Sequence, residues 1–360
     1  MVIYWFLISA PFFLLLVDSR IKDDIDVTFW ILMSVITVVV IGTRYEVGGD
    51  WENYLAQLTR ASTRDFLSAA LTNSEYGYGL LNWVSAKCGL GIYGVNTVCG
   101  AILVTGLAVF CRQQPIPWLA WLIATPYLLV VVGMGYTRQS AALGFLLLGL
   151  ACLEDKRIWR YFLLLAIGAT FHKTVLLMAP LGILVWRQNI WLRLALIVIG
   201  SISLLWIGNN YRELVFSNAA EPNEIFRLWY KYVEHDQWSS IGASYRVWMN
   251  AIPAVLFLLF LKKWKRYFDN SSLWVAMAIA SIVSVFFVGY FSTPIDRLNI
   301  YLAPIQLYFW SRAPLLTSDR LTRTLMILIT IGAYGFLLLF WLQLAKNSGN
   351  WIPYRSIFLL

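Results

Sequence analysis

Charged residues are scarce in this sequence. Asp, Glu, Lys and Arg make up 13% of its 360 residues, whereas a soluble domain carries about 25%. Histidine occurs twice, and the four cysteines show no CxxC spacing, so small buried thiols are expected and not a zinc site or a redox pair. A chain this long with so few polar side chains cannot cover a water-facing surface. The composition therefore excludes a Rossmann enzyme, a nucleic-acid-binding domain and a secreted disulfide scaffold.

Long apolar runs take the place of the missing charge. Hydrophobic residues make up 60% of the chain, and the mean hydropathy is +0.68. Runs of membrane-spanning length recur from end to end, which predicts a single all-α polytopic membrane domain over residues 1–360 with about twelve transmembrane helices. The first run lacks a basic start and a small-residue cleavage site, so a retained span is expected and not a signal peptide. The predicted spans begin near Val2, Val27, Ile92, Pro117, Tyr136, Trp159, Val175, Trp191, Val247, Leu273, Leu298 and Leu325.

Two features interrupt this series of spans. The sixth and seventh runs are short and flank Phe171-His172-Lys173-Thr174, so they are either two spans or one broken or re-entrant pair. The two long polar connections cover residues 43–91 and 209–246, and we expect both to be extracytoplasmic loops.

The distribution of Lys and Arg predicts the orientation. With the N-terminus outside, the short inner connections and adjoining helix ends hold 15 of the 28 Lys and Arg residues, including the run Lys262–Arg266. An outer N-terminus and an outer C-terminus, with an even number of spans, is the preferred topology. It places the unusual polar clusters on one membrane face and predicts a cationic cavity open to the extracytoplasmic side.

The segment from Arg44 to Tyr54 is the richest of these clusters. It holds one cation, three carboxylates and three aromatic rings, together with the pair Gly48-Gly49. Paired glycines allow a tight turn that brings backbone N–H groups near an anion or a sugar, and aromatic faces beside carboxylates suit carbohydrate. A polar turn within an interfacial aromatic belt explains the same composition equally well.

Three arginines stand at or near the ends of predicted spans. Arg138, Arg246 and Arg297 each allow two interpretations: snorkelling to lipid headgroups, or bidentate binding of a phosphate. Arg297 follows Asp296 directly, so a local ion pair is a third possibility there.

His172 is the candidate for proton transfer, because an imidazole titrates near neutral pH. A structural histidine is the more common case. The sequence contains no HExxH, P-loop or serine elbow, and the formal DxD at Asp24–Asp26 lies in a loop too short for a nucleotide-binding domain. No metal ligands and no cofactor are expected.

Taken together, several ordered motifs resemble the EpsG family of bacterial membrane proteins, which are grouped with the Wzy-type O-antigen and exopolysaccharide polymerases. The resemblance covers most of the chain, but the 209–245 segment matches no pattern. The motifs are Arg44…Val47-Gly48-Gly49-Asp50-Trp51-x-x-Tyr54, Glu75-Tyr76-Gly77-Tyr78-Gly79-Leu80-Leu81-Asn82, Arg138-Gln139, Phe171-His172-Lys173-Thr174 and Asp296-Arg297.

The resemblance implies a GT-C-like glycosyltransferase that joins oligosaccharide repeat units carried on undecaprenyl pyrophosphate. It would act at the periplasmic face of the bacterial inner membrane. The implied partners are a lipid-linked donor, a lipid-linked acceptor and membrane lipids, with no nucleic acid; a chain-length regulator is left open. In this chemistry the residues fall into three roles: His172 or Asp50 as the base, Arg44, Arg138, Arg246 and Arg297 on the pyrophosphate, and Trp51, Tyr54, Glu75, Tyr78 and Gln139 on the glycan.

Three other activities fit parts of this pattern. A flippase for the same lipid-linked sugar would also need a cationic cavity, but with access to both faces. An O-antigen ligase would use the same donor and a lipid A core acceptor. A membrane acyltransferase would use His172 but has no need of several arginines.

Overall fold

The computed structural model of the chain describes most of the sequence. Within the described ranges the secondary structure is helical, apart from one isolated antiparallel bridge between Arg44 and Ser356. An all-α fold is thus confirmed for this part of the chain. The described residues are 1–17, 23–66, 68, 75–185, 240, 242–268, 272–289 and 292–359.

In the first half of the chain, two 12-residue helices interrupt a series of longer apolar helices. The ninth begins with a 3₁₀ stretch, Lys173–Met178. They are α1 Val2–Val17, α2 Asp23–Gly42, α3 Trp51–Ser62, α4 Tyr76–Lys87, α5 Gly91–Arg112, α6 Pro117–Gly135, α7 Thr137–Glu154, α8 Ile158–Phe171 and α9 Lys173–Val185.

Six helices follow the undescribed segment 186–239 in the described part of the chain. Short 3₁₀ turns follow α14 and α15. These helices are α10 Ala243–Leu259, α11 Leu261–Tyr267, α12 Ser272–Phe287, α13 Ser292–Leu302, α14 Pro304–Arg312 and α15 Arg320–Leu344.

Local sequence explains several of the helix boundaries. Pro117 and Pro304 occupy the first turns of α6 and α14, where the missing N–H would have no intrahelical partner in any case. Asp319 caps α15, since its carboxylate accepts from the backbone N–H of Thr322 at 2.8 Å. These three helices therefore begin where the sequence supplies a starting residue.

Helix α6 changes its winding in the middle. Residues Thr125–Val132 form a π-helix that begins beside Pro126, a residue without an N–H for the regular ladder. The hydroxyl of Thr125 donates to the carbonyl of Trp121 at 3.1 Å. The wider turns of this stretch present Pro126, Tyr127 and Val131 toward α10 and α15.

Ten of the twelve predicted spans begin in or beside a single described helix, and the run from Leu298 begins inside α13 and continues into α14. The eighth span, near Trp191, lies outside the described residues. Three described helices, α5, α6 and α15, are long and apolar enough to cross a membrane. The pair α10 and α11, bent by 78°, gives a fourth if it counts as one span, and five further apolar helices are shorter. The count of twelve and the GT-C-like architecture therefore stay predictions.

Close packing of α5 against α7 brings the two halves of the central bundle together. A Cβ atom on Gly106 would lie 2.1 Å from the carbonyl oxygen of Gly144, so only glycine allows this approach. Small residues at helix contacts are typical of membrane bundles. The contact fixes α7, which carries Arg138 at one end and Glu154 at the other.

The end of the bundle that carries Arg138 is closed by the C-terminal tail. The backbone N–H of Tyr45 donates to the carbonyl of Arg355, and that of Gly48 to the carbonyl of Asn350. The buried Trp351 donates through its indole to the carbonyl of Val130 at 3.0 Å. Segments predicted to be outer thus meet at one end.

The opposite end gathers residues from the predicted inner connections. Arg312 contacts Gln114, lies 3.9 Å from the carboxylate of Glu154 and stacks at 4.1 Å on the ring of Tyr308. Trp274 donates to the same carboxylate at 3.1 Å. Three connections that were predicted to lie on one membrane face thus meet at one end of the bundle. Which membrane face each end occupies stays a prediction.

The predicted loop 43–91 contains two helices. The apolar face of α3 buries Trp51 and Tyr54 against α4, which buries Tyr78. The predicted loop 209–246 lies largely outside the described residues. At residues 171–174 the chain breaks as expected: α8 ends at Phe171, and His172 is extended (φ −155°, ψ 115°).

Candidate functional site

A polar cavity of about 180 Å³ opens at the end of the bundle that carries Arg138. Four separate stretches of the chain, together with Ser240, contribute to its wall. Predicted site residues from all four stretches meet here: Asp50, Tyr54, Arg138, Gln139, His172 and Arg297.

His172 stands between a carboxylate and an amide. Its Nδ1 contacts Oε1 of Glu75, and its Nε2 lies 3.1 Å from Nε2 of Gln139. An ionised carboxylate only accepts, so Nδ1 carries a proton; an amide nitrogen only donates, so the imidazole Nε2 accepts. The tautomer that satisfies both contacts carries its proton on Nδ1, toward Glu75, and leaves the Nε2 lone pair on the side of Gln139.

Glu75 also holds Arg138. The guanidinium Nη1 of Arg138 donates to Oε2 of Glu75 at 2.6 Å, so one carboxylate joins the imidazole and the arginine. The rings of Tyr54 and Tyr78 flank the guanidinium at 6.0 and 5.9 Å. Glu75, which the sequence assigned to the glycan, lies behind the cavity wall and orients two of its residues.

Arg246 and Asp296 form a second pair beside the cavity. Nε and Nη2 of Arg246 donate to the two carboxylate oxygens of Asp296 at 2.5 and 2.8 Å, and Nη2 also reaches Oγ of Ser240. Asp296 therefore pairs with an arginine on α10, 50 positions away, and its sequence neighbour Arg297 lines the same cavity wall.

The sequence predicted a cationic cavity, but the site holds carboxylates as well as arginines. Arg138 is paired with Glu75 and Arg246 with Asp296, while Arg297 and Asp50 share the wall. Pairing lowers the cost of holding a guanidinium at membrane depth. An anionic ligand would have to share these arginines with their carboxylates.

Arg44, predicted to bind pyrophosphate, lies outside the cavity and is 1% exposed. Its Nε and Nη1 donate to the carbonyls of Val47 and Ile41 at 3.2 and 2.6 Å. Nη2 donates to Asn96 Oδ1 at 2.9 Å and to Thr137 Oγ1 at 2.8 Å. The guanidinium thus fastens the segment after α2 to α5 and α7.

Replacing Arg44 by methionine should lower the free energy of unfolding by about 3 kcal/mol or more. Methionine keeps apolar volume but leaves several buried acceptors without a donor, each at about 1–3 kcal/mol. Thermal unfolding of the purified protein in detergent measures the loss, and the exposed Arg355→Met is the control. An Arg44→Met protein that unfolds at the wild-type temperature would return Arg44 to the pyrophosphate arginines.

Two of the predicted glycan residues pack behind the cavity. Trp51 and Tyr78 are 7% and 2% exposed and belong to an aromatic cluster with Tyr54, which alone of the three lines the cavity. Gly48 has φ +110°, and a Cβ there would lie 2.2 Å from the carbonyl oxygen of Met134. The expected N–H turn therefore packs against α6 and does not reach the cavity.

The pKa of Glu75 gives the site a pH dependence. Burial raises this pKa, but the hydrogen bond from His172 and the charge of Arg138 outweigh burial and hold it below its usual value of 4.5. The unfolded chain binds the proton at higher pH than the folded one. The stabilisation is therefore complete above the usual pKa and is lost as pH falls through the lowered one.

This sign can be tested by comparing wild-type protein with Glu75→Gln. The difference in unfolding temperature should be constant from about pH 7 to about pH 5 and shrink toward about pH 3, because the wild-type carboxylate becomes protonated. Thermal melts at each pH measure it. A difference that widens on acidification would contradict the lowered pKa.

Sequence reasoning missed Asn96 and Thr137 as partners of Arg44, and Ser240 and Asp296 as partners of Arg246. A buried arginine in an apolar chain requires acceptors nearby. That rule could have prompted a search for polar residues within spans, although spacing alone does not say which partner folds against which arginine.

The fold and the site define a helical protein with apolar spans and a paired arginine–carboxylate cavity at one end. The family model described as the EpsG family matches residues 27–356, so the chain belongs to that family. The resemblance drawn from the motifs is thereby confirmed. The family and the apolar helices indicate a membrane protein with a polysaccharide polymerase-type function. No curated protein and no solved structure matches the chain.

Proposed function

We propose that this protein is a metal-independent membrane glycosyltransferase of the Wzy type. It would join oligosaccharide repeat units carried on undecaprenyl pyrophosphate at the periplasmic face of the inner membrane. The observation that carries the proposal is the single cavity that holds Arg138, Arg297 and His172, with the Arg246–Asp296 pair at its border. A lipid pyrophosphate leaving group and a sugar hydroxyl require these two kinds of group side by side.

The acceptor half of the reaction uses His172. An acceptor hydroxyl would replace the Gln139 amide as the donor to Nε2, at the position that now accepts a 3.1 Å contact. As the hydroxyl oxygen attacks the anomeric carbon, its proton passes to Nε2, and the Nδ1 proton stays on the contact with Glu75. Asp50 on the same wall is the alternative base.

The donor half uses the arginines. The bond between the anomeric carbon and the pyrophosphate oxygen breaks, and its electron pair goes to that oxygen. Arg138 donates one hydrogen bond from Nη1 to Glu75. A guanidinium has five N–H donors, so Arg138 can bind a phosphate oxygen in addition. Fixed donors aimed at developing charge are often the largest catalytic contribution. Tyr54 and Gln139 would contact the glycan.

The test is extension of a lipid-linked oligosaccharide by purified protein in detergent. The substrate is the lipid-linked oligosaccharide fraction extracted from the native host, labelled with a fluorophore and resolved by electrophoresis. We expect a ladder that grows by one repeat unit per step without a sealed bilayer. A flippase would leave the label unextended, and a ligase would react only after lipid A core is added; either result would overturn the proposal.

The orientation has its own test. In a variant without the four native cysteines, Glu52→Cys on α3 should react with a membrane-impermeant maleimide added to cells whose outer membrane has been made permeable. Lys263→Cys on α11 should react only after the inner membrane is opened. Both positions are exposed in the structure, so burial does not prevent labelling. Labelling of position 263 before the inner membrane is opened would reverse the topology.

A further inference from the structure

A second, mostly apolar groove lies beside the polar cavity. It has a volume of about 300 Å³ and runs between the π-helical part of α6, the start of α10 and the last turns of α15. Its apolar wall includes Val131, Met249, Leu337, Phe340 and Leu344. Phe340 and Leu344 are 37% and 71% exposed, so the groove opens on the outside of the helix bundle.

The groove is polar at one end only. Arg246 and Lys346 line it there, and Arg246 bonds Asp296, which lines the polar cavity. The same pair thus borders both sites. The apolar groove therefore adjoins the polar cavity at the Arg246–Asp296 pair.

Tyr127 supplies an independent indication of a ligand. It is 6% exposed and lines the groove, and its hydroxyl has no hydrogen-bond partner among the described residues. It interacts electrostatically with both Arg246 and Asp296. A buried hydroxyl is normally hydrogen-bonded, so an unpaired one near the guanidinium of Arg246 suits the oxygen of an anionic headgroup.

We propose that this groove binds the first isoprene units of a polyisoprenyl pyrophosphate, with the pyrophosphate against Arg246, Lys346 and the hydroxyl of Tyr127. The occupant must be apolar along its length and anionic at one end, because the groove is lined in that way. The partly exposed ring of Phe340, more than one helical turn of α15 away from Lys346, lets the rest of the chain run into the bilayer. Arg246 then separates a compartment for the lipid carrier from the cavity that receives the acceptor sugar.

This assignment rests on the proposed function, since that reaction supplies a polyisoprenyl pyrophosphate. The transferase reaction needs the arginines and His172 of the polar cavity, whereas the apolar groove would recognise the isoprenyl chain of the carrier. Binding of the carrier can therefore be measured without any turnover, so the two can fail separately.

The first experiment is photo-crosslinking of the full-length protein in lipid nanodiscs. The probe is undecaprenyl pyrophosphate with a diazirine on its second isoprene unit, and crosslinked peptides are mapped by mass spectrometry. We expect labels on Met249, Leu337 and Phe340, removed by excess undecaprenyl pyrophosphate and retained in the same excess of phosphatidylglycerol. Labels confined to other surfaces, or equal competition by phosphatidylglycerol, would overturn the assignment; the second outcome describes ordinary lipid contact.

The second experiment fills the groove. Met249→Trp should raise the KM for a full-length donor about tenfold, with kcat unchanged, because the indole occupies the space of the chain. A donor with a single isoprene unit should show the wild-type KM. Ile329→Trp is the matched control, since Ile329 is 68% exposed on α15 and does not line the groove.

Each outcome of these experiments decides something. Equal KM values for Met249→Trp and wild type, together with unchanged crosslinking, would reject the groove and leave the transferase intact. If Met249→Trp does not fold, the crosslinking of wild-type protein still gives the answer. Crosslinking in the groove without any polymer extension would keep the lipid site and reject the proposed function.

Discussion

Replacing His172 by alanine should reduce the rate of glycan extension by about 10²–10⁴-fold, the usual contribution of a positioned general base. His172 lines the cavity, and its Nδ1 contact with Glu75 orients the ring, so alanine removes the positioned base. Initial rates of extension with purified protein measure the effect. The KM for the donor should change little, because the arginines remain.

The control for this prediction is a variant of Asp50, the alternative base. Asp50→Asn removes a carboxylate from the same cavity wall while keeping its size and its contact with Asn53 possible. We expect a smaller loss of rate than in His172→Ala. Wild-type extension by His172→Ala, together with inactivity of Asp50→Asn, would transfer the role of base to Asp50.

Replacing Arg138 by lysine should lower kcat by about 10²–10³-fold, the range found when a donor to a developing oxyanion is removed. Lysine keeps the charge but is a point donor, so it cannot hold Glu75 and a phosphate oxygen in the planar arrangement of a guanidinium. Single-turnover rates with saturating lipid-linked donor measure the chemical step.

Arg355→Lys is the matched control for Arg138→Lys. Arg355 belongs to an ion pair with Glu46 at the same end of the bundle, but its side chain is 48% exposed and does not line the cavity. Its replacement should leave kcat unchanged. Equal rates for Arg138→Lys and wild type would show that bidentate geometry at position 138 is unnecessary and would remove this arginine from the leaving-group site.

The Arg44 segment illustrates how far motif reasoning reaches. The family resemblance led to grouping Arg44 with the arginines at positions 138, 246 and 297 as candidates for binding the pyrophosphate. Burial and four hydrogen bonds to uncharged acceptors distinguish Arg44 from the others. A motif identifies which residues belong to the pattern, and an arginine in a motif can stabilise the fold as well as bind the substrate.

The break at His172 is a feature that the sequence did predict. Two apolar runs too short to be ordinary spans flank it, and the structure ends α8 at Phe171 and continues with a 3₁₀ stretch. Some helix starts were also close, as with Ile92 against Gly91 for α5, whereas Leu325 lies five residues inside α15, which begins at Arg320. The two helices inside residues 43–91 were missed, since each has only 12 residues and is too short to be read as a span.

The sequence by itself determined a helical membrane protein, its family, and the set of polar residues from which a site could be built. The lengths of the apolar runs and the order of the motifs depend only on the order of residues along the chain. The tertiary structure alone decided that Glu75 joins His172 to Arg138, that Arg246 pairs with Asp296, and that Arg44 is buried away from the cavity. Those pairings depend on which helix ends come within hydrogen-bond distance, and close packing of the helices sets that distance.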